Sequence, residues 1–401
     1  MNVLFLTMIR INSLAERGIY TDLMQEFVNH GHQVYIARPS ERRFGEQTGI
    51  KKDGGLTLLN IKTYNFKECS LVEKGFATLR LEGQFLSATK RYFKDTKFDL
   101  IIYSTPPITF SRVISYFKKR DSALSYLLLK DIFPQNAVDL NMMKKGGLIH
   151  RYFRAKEHQL YAVSDYIGCM SPANVNYVLK HNPSVSQARV EVNPNSNYPL
   201  IEEISETERI AIREKYGIPT DKIICVYGGN LGVPQGIGFL KEILQQVPND
   251  NIFYLIVGTG TAFDSLNDWF QLEKPSYAVL FNVLPKDEYD ILLRSCDIGL
   301  IFLDPRFTIP NFPSRLLSYM ECGLPVLAAT DCATDIGEIA KENGFGFWCE
   351  SGDLTSYQQQ LKKMLPQGVR EEMGAKGLAY LKENYHVSAS YQQIARRMKN
   401  V

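Results

Sequence analysis

Short apolar runs recur along the chain, separated by longer segments that mix polar and apolar residues. VLFLTMI, QVYIA, DLIIYS, SYLLLKDIF and YIGCM stand in the first half, and IICVY, IFYLIVG, VLFN, IGLIF and VLAAT in the second. Runs of this length predict buried strands, and the intervening segments carry helical spacing. The alternation predicts an α/β chain with two parallel sheets wound by helices. VEVNPNSNYPLIEEISETERI, rich in Asn, Pro and acids, separates the two sets and reads as an interdomain linker with its boundary near Pro199. TERIAIREKYGIPTDK has helical spacing and a Gly-Pro stop, so it leads into the second set. The expected division is residues 1–199, residues 200–385 and a final amphipathic helix over residues 386–401 that packs across the surface.

Composition narrows the class. At 401 residues the chain exceeds what one core usually serves, and 45% hydrophobic with 22% charged residues is the balance of a soluble globular protein. The opening MNVLFLTMIR offers no small-residue cleavage site, and no run reaches the roughly 18 apolar residues of a spanning helix. A cytoplasmic protein is expected, with peripheral attachment at the inner membrane face left open. Seven cysteines without a C-x-x-C pair and six histidines without H-E-x-x-H argue against a disulfide framework and a zinc site, so neither metal nor other cofactor is expected.

Charge is unevenly placed. Residues 1–200 carry 27 Lys+Arg against 17 Asp+Glu, and residues 201–401 carry 19 against 26, which is +10 against −7. A basic first half suits a phosphate-bearing acceptor or an anionic membrane face, and equally two complementary domain surfaces. No nucleic-acid-binding motif accompanies it. In MMKKGGLIHRYFRAKEHQLY, Lys144, Lys145, Arg151, Arg154 and Lys156 lie beside Met142, Met143, Leu148, Ile149, Tyr152 and Phe153, a mixture that fits a membrane surface or an amphipathic helix facing a core.

Glycine-bearing turns follow several strands. Gly18 precedes the helix after the first strand, and in an open parallel sheet such a turn beyond the strand ends can bring backbone amides to an anion. IICVY runs into Gly228-Gly229-Asn230-Leu231-Gly232 and then Pro234-Gln235-Gly236. That density suits a diphosphate cradle, although the GK[ST] of a P-loop is missing. Gly258 and Gly260 end another strand, and Leu284-Pro285-Lys286 precedes a helix; each also reads as an ordinary strand-to-helix turn. In DPRFTIPNFPSRLLSYMECGLPVLAAT, Ser314 can cap a helix whose first turn carries Arg315, a side chain shaped to grip diphosphate oxygens in pairs.

Taken together, RGIYTDL, STPP after DLIIY, LKDIFP, the VEVNPN exit, YGGNLGVPQG, VGTG and FPSRLLSYMECGLPVLA resemble, in order and spacing and over nearly the whole chain, the retaining glycosyltransferases of the GT-B fold. The likeness is strongest to the bacterial family 4 branch that builds surface polysaccharides. The resemblance implies two Rossmann-like domains facing a cleft, a nucleotide-sugar donor and metal-independent hexosyl transfer. The acceptor would be a glycan or a lipid- or protein-linked acceptor. The donor would be contacted by Gly229, Asn230, Gly232, Gln235 and Gly258, by Pro285 and Lys286, and by Asn311, Phe312, Ser314, Arg315 and Ser318. Gly18 would face it from the other domain. Asp131 stands where relatives carry a polar His or Asp beside the acceptor, so it and Arg315 are the expected catalytic residues.

Two departures stand out. Relatives often carry two glutamates eight residues apart around the helix that Ser314 and Arg315 begin, where this chain has Pro310 and Ser318. Glu321, one turn beyond Ser318, is a partial substitute. The cations common in the glycine-rich loop are replaced by Val233 and Gln235, leaving Arg315 as the main neutralising charge. A UDP-sugar is the first expectation for the donor. A non-catalytic partner subunit on the same fold is the alternative these losses open, and a nucleotide-sugar epimerase is a third.

Overall fold

The computed structural model describes residues 1–66, 69–246 and 249–398. Its elements in chain order are β1 (Asn2–Leu6), α1 (Ile19–Asn29), β2 (Gln33–Glu41), β3 (Gly49–Asp53), β4 (Leu56–Thr63), α2 (Leu71–Tyr92), β5 (Leu100–Ser104), α3 (Ser111–Asp121), β6 (Leu124–Leu129), α4 (Gln135–Asp139), α5 (Leu148–Val163), β7 (Tyr166–Cys169), α6 (Pro172–His181) and β8 (Val190–Val192). There follow α7 (Glu206–Lys215), β9 (Ile223–Asn230), α8 (Ile237–Gln246), β10 (Ile252–Thr259), α9 (Phe263–Glu273), β11 (Ala278–Phe281), α10 (Lys286–Arg294) and β12 (Ile298–Phe302). The chain continues through α11 (Arg315–Glu321), β13 (Val326–Thr330), α12 (Ile336–Glu342), β14 (Gly346–Glu350), α13 (Leu354–Lys363), α14 (Gln367–Asn384) and α15 (Val387–Met398).

Two compact units result, one of Met1–Tyr198 with Val387–Val401, the other of Pro199–His386. The final helix, expected to lie across the surface, is part of the first unit's core: Val387, Tyr391 and Ile394 bury against Phe27 and Met24 of α1. VEV of the expected linker is strand β8. Helix α7 starts at a capping box in which Ser205 and Glu208 each meet the other's backbone N–H, as the polar run before its apolar residues demands.

The first unit's sheet runs β3-β4-β2-β1-β5-β6-β7-β8, parallel except for the antiparallel β3–β4 pair. The second unit's sheet is β11-β10-β9-β12-β13-β14, all parallel. In each sheet the order reverses beside an early strand, β1 and β9. The right-handed crossovers therefore send the flanking helices to opposite faces and open a crevice at the strand carboxyl ends. In the first unit this switch lies at β1–β5, and in the second at β9–β12.

Candidate functional site

In the second unit the crevice is bounded by the turn after β9 and by the segment that leads from β12 into α11. Arg315 opens α11 and lays its guanidinium over the Tyr227 ring, 4.3 Å from the centroid. Its Nη1 is buried and has no hydrogen-bond partner, and Nη2 lies 3.5 Å from where a Cβ on Gly229 would stand. A buried guanidinium N–H without an acceptor is costly, so the geometry leaves a place for an oxygen of a ligand. Tyr289 of α10 and Tyr319 of α11 complete the surroundings: the Tyr319 hydroxyl accepts from the Gly228 N–H at 3.2 Å and reaches the carbonyls of Val226 and Leu300. These three tyrosines were not singled out in the sequence, where nothing marks rings drawn from positions 227, 289 and 319 as neighbours.

Several of the glycines prove to serve packing. A Cβ on Gly228 would fall 1.8 Å from the Tyr289 hydroxyl, and one on Gly258 would fall 1.8 Å from the Gly229 carbonyl oxygen of the paired strand. Gly260 meets Asn230 and Leu231 in the same way. The density expected of a diphosphate cradle is thus largely the close approach of strand ends to each other and to a ring, and of this set Gly229 alone stands beside Arg315. Asn230 Nδ2 donates to Gln235 Oε1 at 2.8 Å with Gly232 between them, which fixes the turn after β9.

The remaining expected donor residues are distributed as follows. Lys286, at the start of α10 after Pro285, gives its ammonium to Asp290 one turn on, at 3.0 and 3.2 Å. The Asn311 N–H donates to Thr334 Oγ1, whose own hydroxyl donates to Asp331, a carboxyl that burial pushes up to about 6. Phe312 is buried edge-on against Tyr385, so it belongs to the core. Ser314 occupies the N-cap position but in helical conformation, and its side chain makes no capping bond, contrary to expectation. Pro310 is buried and Ser318 partly exposed. Glu321 does not stand in for the missing acids: it sits in the last turn of the seven-residue α11, faces the amino ends of the strands and accepts the Leu200 N–H at 3.2 Å.

In the first unit, Gly18 precedes α1 and its N–H donates to Asp22 Oδ1 at 3.3 Å, so that amide already has a carboxylate partner. Asp131 follows β6. Both its carboxyl oxygens accept from Asn136 Nδ2 at 2.9 Å, and its N–H donates to Thr105 Oγ1 at 3.1 Å in the STPP turn after β5. Desolvation pushes the carboxyl up to about 6, near where a general base works at neutral pH.

Two doubly wound parallel sheets in two compact units are the architecture of the GT-B fold. The sequence model described as "Glycosyl transferases group 1" matches residues 208–379, within the second unit. It is 23% identical over 333 residues to the probable glycosyltransferase WbjE of Pseudomonas aeruginosa, covering 81% of this chain and 80% of that one. It is 21% identical over 338 residues to the putative colanic acid biosynthesis glycosyl transferase WcaI of Escherichia coli K12, covering 81% and 82%. Among solved structures, that of Anabaena Alr3699/HepE in complex with UDP and glucose shares the fold with a TM-score of 0.72 at 15% identity, over 100% of both chains.

Proposed function

We propose that this glycosyltransferase takes a hexosyl group from a nucleotide-sugar donor, a UDP-sugar first, and passes it with retained anomeric configuration to a glycan or to a lipid- or protein-linked acceptor. The product would belong to a surface polysaccharide such as a capsule or exopolysaccharide. One observation carries the reading: the buried, unpartnered Nη1 of Arg315 beside Gly229, at the switch point where phosphates bind in open parallel sheets. The resident UDP of the HepE structure and the colanic acid role in WcaI's name point the same way. In this reading Arg315 and backbone amides take up the charge of the leaving diphosphate in place of a metal ion, and Asp131 draws the proton from the acceptor hydroxyl.

Calorimetric titration of the purified chain with UDP, GDP and dTDP tests it. Wild type should bind UDP, and Arg315→Gln should weaken that binding by about tenfold or more, the worth of a charge-assisted contact. Arg315→Lys should recover part of it, since a point charge replaces a two-pronged donor. Equal UDP affinity in wild type and Arg315→Gln would reduce Arg315 to a packing residue and remove the basis of the reading.

A membrane face is the second element of the proposal. Along α2, Val72, Phe76 and Leu79 form an exposed stripe, and Met142, Leu148, Ile149 and Tyr152 are exposed before and along α5. Lys74, Arg80, Lys144, Lys145 and Arg151 are exposed among them. Three members of the stretch picked out in the sequence are engaged elsewhere: Arg154 pairs with Glu157, Lys156 with Glu82, and Phe153 packs on Phe133. Apolar side chains rimmed by basic ones match an anionic bilayer surface, and no described helix is long and apolar enough to cross one.

A further inference from the structure

Lys130 follows β6 at the carboxyl edge of the first unit's sheet, one residue before Asp131. Its side chain is recessed but not sealed. The ammonium donates to one protein acceptor, the Asn193 carbonyl at 3.2 Å, and among the described residues no carboxylate lies within ion-pair distance of it. The acidic groups near this strand end are committed elsewhere: Asp131 to Asn136, and Glu191 of β8 to Tyr126 and to Arg396 and Arg397 of α15. The Cys169 thiol of β7 is the titratable neighbour, itself pushed up to about 12 by burial. Desolvation without a counter-charge brings the lysine down to about 7.

A lysine that serves structure alone is normally met by a carboxylate or reaches into water. Lys130 meets no carboxylate among the described residues, and its recessed ammonium has one protein acceptor, the Asn193 carbonyl. On the same strand-end edge, Thr109 Oγ1 after β5 and Asn195 Oδ1 after β8 are buried without partners. A cation lacking an anion, at the edge where parallel sheets receive ligands and where other polar groups also lack partners, suits an anionic occupant.

We propose that Lys130 anchors a subsite for an anionic oxygen, phosphoryl or carboxylate, carried by the sugar acceptor. The proposal rests on the reading that the donor nucleotide occupies the second unit, and it makes Lys130 a residue that selects charged acceptors. Asp131, adjacent in sequence, then stands next to the hydroxyl it would deprotonate.

The test uses glucose 1-phosphate, glucuronate and uncharged glucose as probes of the full chain carrying Arg315→Gln, so that the second unit's arginine does not contribute. Calorimetry should show the charged sugars binding about tenfold or more tighter than glucose at pH 6, with the preferred one naming the group read. Lys130→Met should abolish that advantage, and Lys130→Arg should keep most of it. Glucuronate stays ionised throughout, so in the chain that also carries Asp131→Asn, which removes the neighbouring carboxyl's own titration near 6, its affinity should fall between pH 6 and pH 8.5 as the ammonium loses its proton; this needs no variant at position 130. Lys130→Met should also melt no lower than its parent, because it removes an uncompensated buried charge. Charged and neutral sugars binding alike, or an advantage that survives Lys130→Met, overturns the proposal. UDP titrated into wild type and Arg315→Gln judges the donor reading separately, so the two can fail independently.

Discussion

In the proposed reaction Arg315 and Asp131 are the two side chains on which the chemistry would turn, and their surroundings suit them to different tasks. Arg315 is held over the Tyr227 ring with its Nη1 unmet, which suits a fixed charge awaiting an oxygen. Asp131 is desolvated and tethered to Asn136, which suits a carboxylate that can take up a proton. Asp131→Asn is therefore expected to lower the transfer rate by about a hundredfold or more with the donor KM little changed. Wild-type activity should rise as pH passes about 6, a limb that the variant loses. The same group affects stability. Its folded value, about 6, lies above the ordinary 3.8, so the native state holds the extra proton in that window and wild type should lose stability as pH rises from 3.8 to about 6. Chemical denaturation at intervals across that range should give a flatter profile for Asp131→Asn, and identical profiles would mean that the carboxyl is not shifted.

At the scale of elements, most strands were legible because buried parallel strands are written as unbroken apolar runs, although β8 was read as linker and β14 was missed. The edge pair β3–β4 was not: β3 is GIKKD, exposed along most of its length, and nothing apolar announces it. The glycine-rich turn after β9 could be found but not interpreted, since the partners of Gly228 and Gly258 are a ring from α10 and a carbonyl of the neighbouring strand, contacts that only the fold brings together. Glu321 shows the same limit. Its spacing from Ser318 was visible, but a short helix turns a residue three positions on toward the opposite end of the sheet. The stripe on α2 also escaped notice, although Val72, Phe76 and Leu79 follow helical spacing. It yields a prediction at this scale: vesicles containing anionic lipid should retain the protein at low salt and release it at high salt, and Val72→Ser with Leu79→Ser should weaken retention. Retention independent of salt, or none, would leave α2 and α5 without this role.

For the whole molecule, the division into two units matters most through α15. Ser390 donates to Asn193, Arg396 and Arg397 pair with Glu191, and Tyr391 stacks on His30 at 4.0 Å. All of these partners lie in the first unit. Ending the chain at His386 should therefore lower the melting temperature of the first unit and leave amide-exchange protection in the second unit's strands nearly unchanged; uniform loss across both would show that α15 supports the chain as one body. The expected boundary near Pro199 stands one residue from the observed one, and the destination of the last helix was not legible because amphipathic spacing reveals a buried face without naming its partner. This arrangement also sets an order of events on the ribosome. The stretch from Pro199 to His386 emerges as one uninterrupted piece and can reach its full stability at once, whereas the portion made before it stays less stable, with Phe27 and Met24 uncovered, until α15 has been translated. A nascent chain that stalls late thus carries a finished second half and a first half still open to chaperones and proteases.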